Sequence, residues 1–176
     1  MVSDEALMLE FQRGSRDAFE ELFQRYRQPL YGFFRRRLSN KERAEDLTQE
    51  TFLALIRAKT RYEPRARVKT YLYGIAMNLL AAELRRGRVQ EREEESQEGG
   101  EPRTPEAALW VRQALEKLDL PDREVLMLRE YEQLSYLEIA DLLRVPVNTV
   151  RSRLFRSRMA LKQHLEPAQE VRQTVR

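Results

Sequence analysis

The sequence predicts an all-α protein built from two small helical domains joined by a flexible acidic linker. Three observations carry that expectation. Strong helix formers (Glu, Arg, Leu, Ala, Gln) dominate the 176 residues, whereas Gly and Pro, which sheet turns require, number only 6 and 7. Apolar residues recur at three- and four-residue spacing through both halves of the chain. The stretch 87–106, GRVQEREEESQEGGEPRTPE, breaks that rhythm with Gly, Pro and a run of acids.

Each element has a local signal. Ser3 reads as an N-cap with first-turn acids Asp4 and Glu5, opening a short helix through Phe11 that Gly14 ends. Ser15 caps the next helix, whose apolar face holds Phe19, Leu22, Phe23 and Tyr26. Leu30, Tyr31 and Phe34 continue that face past Pro29, which either kinks this helix or starts a new one. Ser39-Asn40 breaks the chain and caps a third helix over 41–58. Residues 59–67, KTRYEPRAR, form a basic loop, and a long helix follows over 68–86.

Beyond the linker, periodicity resumes at Ala107 with Leu109, Trp110, Ala114, Leu115 and Leu118. Pro121 suits the first turn of a helix reaching Tyr131. Ser135 caps a short helix through Leu143, Arg144-Val145-Pro146 turns the chain, and the last helix covers 147–165. The domain reading is therefore 1–88, a linker over 89–106, 107–166, and a frayed tail over 167–176.

Composition narrows the chemistry. No window approaches a membrane span, and the N-terminus lacks the basic, apolar, small-residue order of a secretory signal. With no cysteine, thiol catalysis, disulfides and cysteine metal sites are excluded. His164, the single histidine, cannot build a histidine metal cage. A cytoplasmic protein without cofactor or metal fits best. Glu45, Asp46 and Glu50 form an acidic group, but no second cluster accompanies it. Charge is segregated although the net is only +3: residues 1–86 are basic, 87–143 acidic, and 144–176 basic again. A basic end beside an acidic middle suggests nucleic-acid contact by one part only, against the alternative of a merely solvated surface. Arginine far outnumbers lysine, which suits phosphate and guanine contacts; codon bias or heat adaptation gives the same skew.

Residues 135–154, SYLEIADLLRVPVNTVRSRL, have helix-turn-helix spacing. Ile139, Leu143, Val145, Val150 and Leu154 fall where such a motif buries its corner, and Ala140 is small where the helices cross. Arg144 holds a turn position often given to Gly, where a left-handed conformation costs it a little. On the last helix Val147, Val150, Leu154, Leu161 and Leu165 share one side. Ser152, Phe155, Arg156 and Met159 point away, flanked by Arg151, Arg153, Arg158 and Lys162. Arg can read guanine, Phe can cover a thymine methyl, and flanking basics hold phosphates. The competing reading is a basic amphipathic helix that only closes the fold.

In the first half, AEDLTQETFLALI (44–56) turns Ala44, Leu47, Thr51, Leu55 and Ala58 inward and Asp46, Gln49, Leu53 and Ile56 outward. Acids mixed with aliphatics suit a protein-binding face, although burial on both sides gives the same periodicity. In KTRYEPRARVKTYLYGIAMNLLAAELRR (59–86), Tyr62, Tyr71 and Tyr73 interleave with Lys59, Arg61, Arg65, Arg67 and Lys69. Bases stack on aromatic faces while cations follow the backbone, which points to single-stranded DNA; at least one of Tyr71 and Tyr73 is expected to pack between helices instead.

AEDLTQETF, TYLYGIAMN…LRR, LPDREVLMLREYEQLSYLEIADLL and PVNTVRSRLFRSR, in that order, resemble a bacterial extracytoplasmic-function sigma factor of the sigma-70 family. The likeness runs from about Glu5 to Leu165. It implies a non-enzymatic subunit that binds core RNA polymerase and directs promoter recognition, DNA melting and initiation. Its first domain, region 2, would bind the clamp helices of the largest subunit through Glu45, Asp46, Gln49, Glu50 and Leu53. The resemblance assigns Ala58, Lys59, Arg61, Tyr62, Arg65, Tyr71, Ile75, Asn78, Arg85 and Arg86 to the unpaired minus-ten strand, with Tyr62 and Asn78 as candidate walls for a flipped base. Region 4 would sit on the polymerase flap and read the minus-thirty-five duplex through Thr149, Arg151, Ser152, Arg153, Phe155, Arg156 and Arg158. The acidic linker would run through a positively lined channel. A masking anti-sigma factor and a monomeric free state complete the expectation. Tyr71 stands where the family usually has Trp, Ala82 where it has Asp, and Gln133 and Asn148 where it has Gly. A helix-turn-helix regulator that dimerises is the competing reading, and nothing in the sequence offers an enzyme its nucleophile and base.

Overall fold

Side-chain caps start the helices of the N-terminal half. Ser3 Oγ accepts from the Ala6 N–H at 3.2 Å, Ser15 Oγ from Ala18 at 3.2 Å, and Asn40 Oδ1 from Arg43 at 2.9 Å. Each satisfies a donor that the first helical turn leaves without a partner. In the computed structural model, which describes residues 1–91 and 106–165, the helices that follow are α1 (Asp4–Gln12), α2 (Arg16–Arg35) and α3 (Lys41–Ala58). A 3₁₀ turn (Lys59–Arg61) leads towards α4 (Val68–Glu91). The second half contains α5 (Glu106–Glu116), α6 (Leu120–Glu130), α7 (Tyr136–Leu143) and α8 (Val147–Leu165). There is no strand among the described residues, and the chain divides into two compact units, Met1–Gln97 and Glu98–Arg176.

In the first unit α2 packs on α1 and α3, and α4 closes the bundle against α3 and α1. Leu7, Met8, Leu22, Leu30, Phe33, Phe34, Leu47, Leu55, Leu72 and Tyr73 are buried at its centre. Aromatic contacts link the helices: Phe11 to Phe19 at 4.9 Å, Phe23 to Phe52 at 4.7 Å, and Phe33 edge-on to Tyr73 at 5.5 Å between ring centroids. Pro29 neither ends α2 nor starts another helix. A proline inside a helix costs about 3 kcal/mol; the burial of Tyr26, Leu30, Phe33 and Phe34 on either side offsets it, at roughly 1.5–3 kcal/mol for each large apolar side chain. The Tyr26 hydroxyl donates to Asp4, and Arg25 bridges Asp4 at 2.7 Å and Glu21 at 2.9 Å, fastening the start of α1 to α2. Burial and the Asp4 carboxylate together push the Tyr26 phenol well above its ordinary range.

Helix α4 runs through Glu91, past Arg86 and into the stretch read as linker. Nothing lies within 4 Å of a Cβ placed on Gly87, and a lone Gly costs a helix only about 1 kcal/mol. Arg88, Gln90 and Glu91 favour continuation. The remaining linker expectation, 92–105, and the tail expectation fall outside the described residues.

In the second unit α8 packs on α5, α6 and α7. Ala114, Leu118, Val125, Leu128, Leu134, Ile139, Val150 and Leu154 are buried. Ser135 and Glu138 form a reciprocal capping box: the Glu138 N–H donates to Ser135 Oγ at 3.2 Å, and the Ser135 N–H donates to Glu138 Oε2 at 2.7 Å. Arg144 closes α7 in the left-handed region, φ 54 and ψ 46, and its N–H donates to Asp141 O at 3.2 Å. Gln133, one of two positions where glycine is usual in the resembled family, is also left-handed, with φ 53. Asn148 instead lies inside α8 and needs no such conformation.

Candidate nucleic-acid interface

The α7–turn–α8 corner sets the direction of α8. Ile139, Val150 and Leu154 fill the corner, with Leu143, Val145 and Ala140 partly covered beside them. Ser157, which lies outside the apolar side read from the sequence, is also buried, and its hydroxyl donates to Leu154 O at 3.0 Å. A small hydroxyl that returns its proton to its own helix can enter an apolar seam without an unpaired donor. With that face committed, Arg151, Ser152, Phe155, Arg156 and Arg158 are exposed, while Thr149 and Arg153 are partly covered. Phe155 is 69% exposed, against the ordinary tendency of its ring.

Two arginines on this face are held by the neighbouring helix. Arg156 gives a bidentate pair to Asp122 at the first turn of α6, Nε to Oδ2 at 3.0 Å and Nη2 to Oδ1 at 2.8 Å. Asp122 is buried although Arg156 is exposed, so the carboxylate forms a fixed seat for a guanidinium whose Nη1 edge faces away from it. Arg158 pairs with Glu130 at 2.7 Å on the same helix. Hydrogen bonding to these acids raises both guanidinium pKa values above their already high range. Asp122 and Glu130 were not anticipated: an acid in the first turn of a helix reads as dipole complementation, and no spacing rule connects it to a residue 34 positions away.

In the first unit α3 presents an outer face of Glu45, Asp46, Gln49 and Leu53, with Ile56 beyond and Glu50 half-covered. Ala44, Leu47, Thr51 and Leu55 are buried opposite them, and Ala58 is partly covered. Leu53 is 49% and Ile56 40% exposed, so α3 is not enclosed on both sides by the described residues of the first unit. Arg43 sets the start of that face. It reaches Glu83 on α4 at 2.8 Å, Glu50 at 3.1 Å and Asp46 at 3.5 Å. The Arg43 guanidinium, hydrogen-bonded to Glu83, holds that carboxyl below the usual carboxylate range.

The basic loop between α3 and α4 is anchored from α1. Gln12 Nε2 donates to Lys59 O at 2.6 Å and to Tyr62 O at 2.9 Å. The Lys59 ammonium lies 4.9 Å from the Phe11 ring centroid, and Glu5 Oε1 accepts from the Val68 N–H at 3.4 Å where α4 begins. Arg61 and Arg65 are exposed at the loop, as are Asn78, Arg85 and Arg86 along α4; Lys59, Tyr71 and Ile75 are partly covered. Tyr73 is buried, so it is the helix-packing tyrosine of the pair.

Tyr62 departs from the expectation that it walls an open base pocket. It is 3% exposed, its ring meets Tyr71 edge-on at 5.4 Å, and its hydroxyl donates to Ala66 O at 2.7 Å. Burial and nearby Glu5 raise its pKa. The ring fills the space under the loop and has no free face for a base in this conformation. Tyr71, whose hydroxyl lies 3.5 Å from Ala58 O, and Asn78 remain closer to the surface.

No group of three or more residues suited to hold a metal ion occurs among the described residues, and no described helix is long and apolar enough to cross a membrane. Two family models match in sequence order: Sigma-70 region 2 over residues 22–89 and Sigma-70 region 4 over residues 108–161. The RNA polymerase sigma-H factor of Pseudomonas aeruginosa is 34% identical, with 93% of this chain and 94% of that protein covered. The RNA polymerase sigma factor CarQ of Myxococcus xanthus is 33% identical, covering 90% and 95%. Among solved structures, CnrH in complex with the cytosolic domain of CnrY is similar, with a TM-score of 0.69 at 25% identity over 91% of this chain and 95% of that one. The sigma factor RpoE of Bartonella quintana, solved with the anti-sigma factor NepR, shares the fold with a TM-score of 0.72 at 24% identity, covering 85% and 98%.

Proposed function

Because this chain belongs to the extracytoplasmic-function group of the sigma-70 family, and is thus a sigma factor directing RNA polymerase to promoters, we propose the following division of labour between its two units. Residues 1–88 grip the polymerase and the melted minus-ten strand. Residues 107–166 read the minus-thirty-five element as duplex, 89–106 tether the two, and 167–176 are a tail. The observation that carries this reading is the outer face of α8, where Ser152, Phe155 and Arg156 stand in solvent beside a buried helix-turn-helix corner. Phe155 and Met159, one turn apart, are both exposed among the basic side chains of this face, which suits contact with base edges in a groove.

Arg156, seated by Asp122, reads guanine, and Phe155 covers a thymine methyl. Arg151, Arg153, Arg158 and Thr149 hold phosphates and make binding salt-dependent. On α3, Glu45, Asp46, Gln49, Glu50 and Leu53 meet the clamp helices of the largest subunit, while the second unit rests on the flap. Lys59, Arg61, Arg65, Arg85 and Arg86 follow the backbone of the displaced strand. Ala58, Tyr71, Ile75 and Asn78 receive a flipped base, whose unstacking costs a few kcal/mol. Tyr62 contributes from beneath, as the packing under that surface.

The chain is a cytoplasmic monomer when free, without cofactor or catalytic activity of its own, and an anti-sigma factor masks it. The structural relative solved with an anti-sigma factor supplies the precedent for that partner but not its identity. Purified chain mixed with core polymerase should produce defined transcript starts that core alone does not. Dimerisation on a palindrome, with no effect on core polymerase, would instead favour a helix-turn-helix regulator.

A further inference from the structure

The basic loop is read above as the part that receives unpaired DNA, yet two of its main-chain carbonyls are tied to a residue outside every motif used in that reading. The carbonyls of Lys59 and Tyr62 both accept from the side-chain amide of Gln12, 47 and 50 positions earlier, at 2.6 and 2.9 Å. The Lys59 carbonyl also accepts from the Tyr62 N–H at 3.3 Å, and one primary amide directs its two hydrogens to the Lys59 and Tyr62 carbonyls together. Phe11, the preceding residue, lies under the Lys59 ammonium at 4.9 Å. Seven positions before Gln12, Glu5 accepts from the Val68 N–H at the far end of the loop. One face of α1 thus holds both ends of 59–68, and the cation of Lys59 as well.

We propose that Gln12 is a positioning residue for strand selection: its amide fixes the Lys59–Tyr62 backbone, and through it the placement of Ala58, Lys59 and Arg61 against the unpaired promoter strand. This rests on the reading of that loop as the single-strand surface. A cradle for a flipped base discriminates only if its walls keep their place when the base enters. Arg61 and Arg65 are exposed, and the loop between its two anchors has only a three-residue 3₁₀ turn as regular structure. The two-pronged amide adds to the loop's own contacts, Tyr62 hydroxyl to Ala66 O and Ala66 N–H to Glu63 O, a tie that reaches outside the loop to α1.

Gln12→Leu keeps the approximate size and removes both donors. Gln12→Glu keeps the shape and turns a donor into an acceptor facing two carbonyls. Each full-length variant, assembled with core polymerase, transcribes a template pool randomised across the minus-ten region, and the selected sequences are read out. Both variants should lose about five- to tenfold of the preference at the unpaired positions, the scale of one lost hydrogen bond. Preference in the minus-thirty-five region and affinity for core polymerase should not change. A clamp that merely stabilises the fold would lower the melting temperature and the total transcript yield while leaving the selected bases as they were, and that result overturns the proposal. Arg61→Ala and Lys59→Ala in the same pool separate the two levels. If they shift selection and the Gln12 variants do not, the positioning role alone fails; if neither shifts it, the loop is not the strand-reading surface.

Discussion

Replacing Leu53 and Ile56 together by glutamine tests whether the outer face of α3 is a docking surface. Glutamine is about as good a helix former as leucine, so α3 should keep its propensity. The two side chains are 49% and 40% exposed, so roughly half of each is available to a partner. Full burial of such a side chain is worth about 1.5–3 kcal/mol, so half of each amounts to about 2 kcal/mol for the pair. At 1.4 kcal/mol per decade, affinity for core polymerase should fall about thirtyfold. Anisotropy of the labelled full-length chain titrated with core enzyme measures this, and a thermal melt by circular dichroism provides the control. Surface changes of this kind usually stay within about 0.5 kcal/mol of stability. An unchanged affinity, or a fall in stability as large as the fall in affinity, would show that this face is not a docking surface for the polymerase.

Four other perturbations bear on the energetics. Arg156→Ala should weaken binding to a mapped promoter duplex by about tenfold and relax base choice at one position. Asp122→Asn should leave binding to random duplex equal or tighter while lowering discrimination, because the guanidinium loses its seat but keeps its charge; filter binding on both duplexes checks the pair. Glu83 has a depressed folded pKa, so its link to Arg43 adds stability above the ordinary value of 4.5 and loses it as pH falls through the lower folded value. Denaturant melts of Glu83→Gln against the parent should therefore differ by about 1 kcal/mol near pH 7 and converge below the glutamate range. Arg144→Gly should stabilise the second unit by about 0.5–1 kcal/mol, since the left-handed angles at the end of α7 suit glycine; an unchanged or lower denaturation midpoint would contradict that account.

Local chemistry made most of the fold legible. Ser3, Ser15, Asn40 and Ser135 announce their helices because a cap is an interaction across three residues. The bounds of α3 and α8 follow from uninterrupted periodicity, and the left-handed Arg144 follows from a turn too short for anything else. Pro29 remained ambiguous because propensity alone cannot weigh a missing hydrogen bond against the burial of Phe33 and Phe34. The sequence reading ends α4 at residue 86, before Gly87, whereas the helix continues to Glu91, since a lone glycine costs a helix only about 1 kcal/mol.

At the candidate interface, single-helix facts were readable and between-helix facts were not. The outward direction of Ser152, Phe155 and Arg156 is a property of one helix and its period. The seating of Arg156 on Asp122, the tie of Arg43 to Glu83, and the grip of Gln12 on Lys59 and Tyr62 join residues 34 to 50 positions apart. Such pairings arise only when packing brings the helices together. Tyr62 shows the limit from the other side. An aromatic among cations has the composition of a stacking platform whether its ring lies on the surface or, as here, beneath it.

In this division of labour one unit holds separated DNA while the other holds an intact duplex. A photo-crosslinking residue placed at position 61 or at position 155, in complexes of the full chain with core polymerase on a mapped promoter, tests it directly. Position 61 should label the non-template strand within the minus-ten element only when the complex is open. Position 155 should label the upstream duplex in closed and open complexes alike. Labelling of the upstream duplex from position 61, or loss of the position 155 product while the upstream element stays bound, would contradict it.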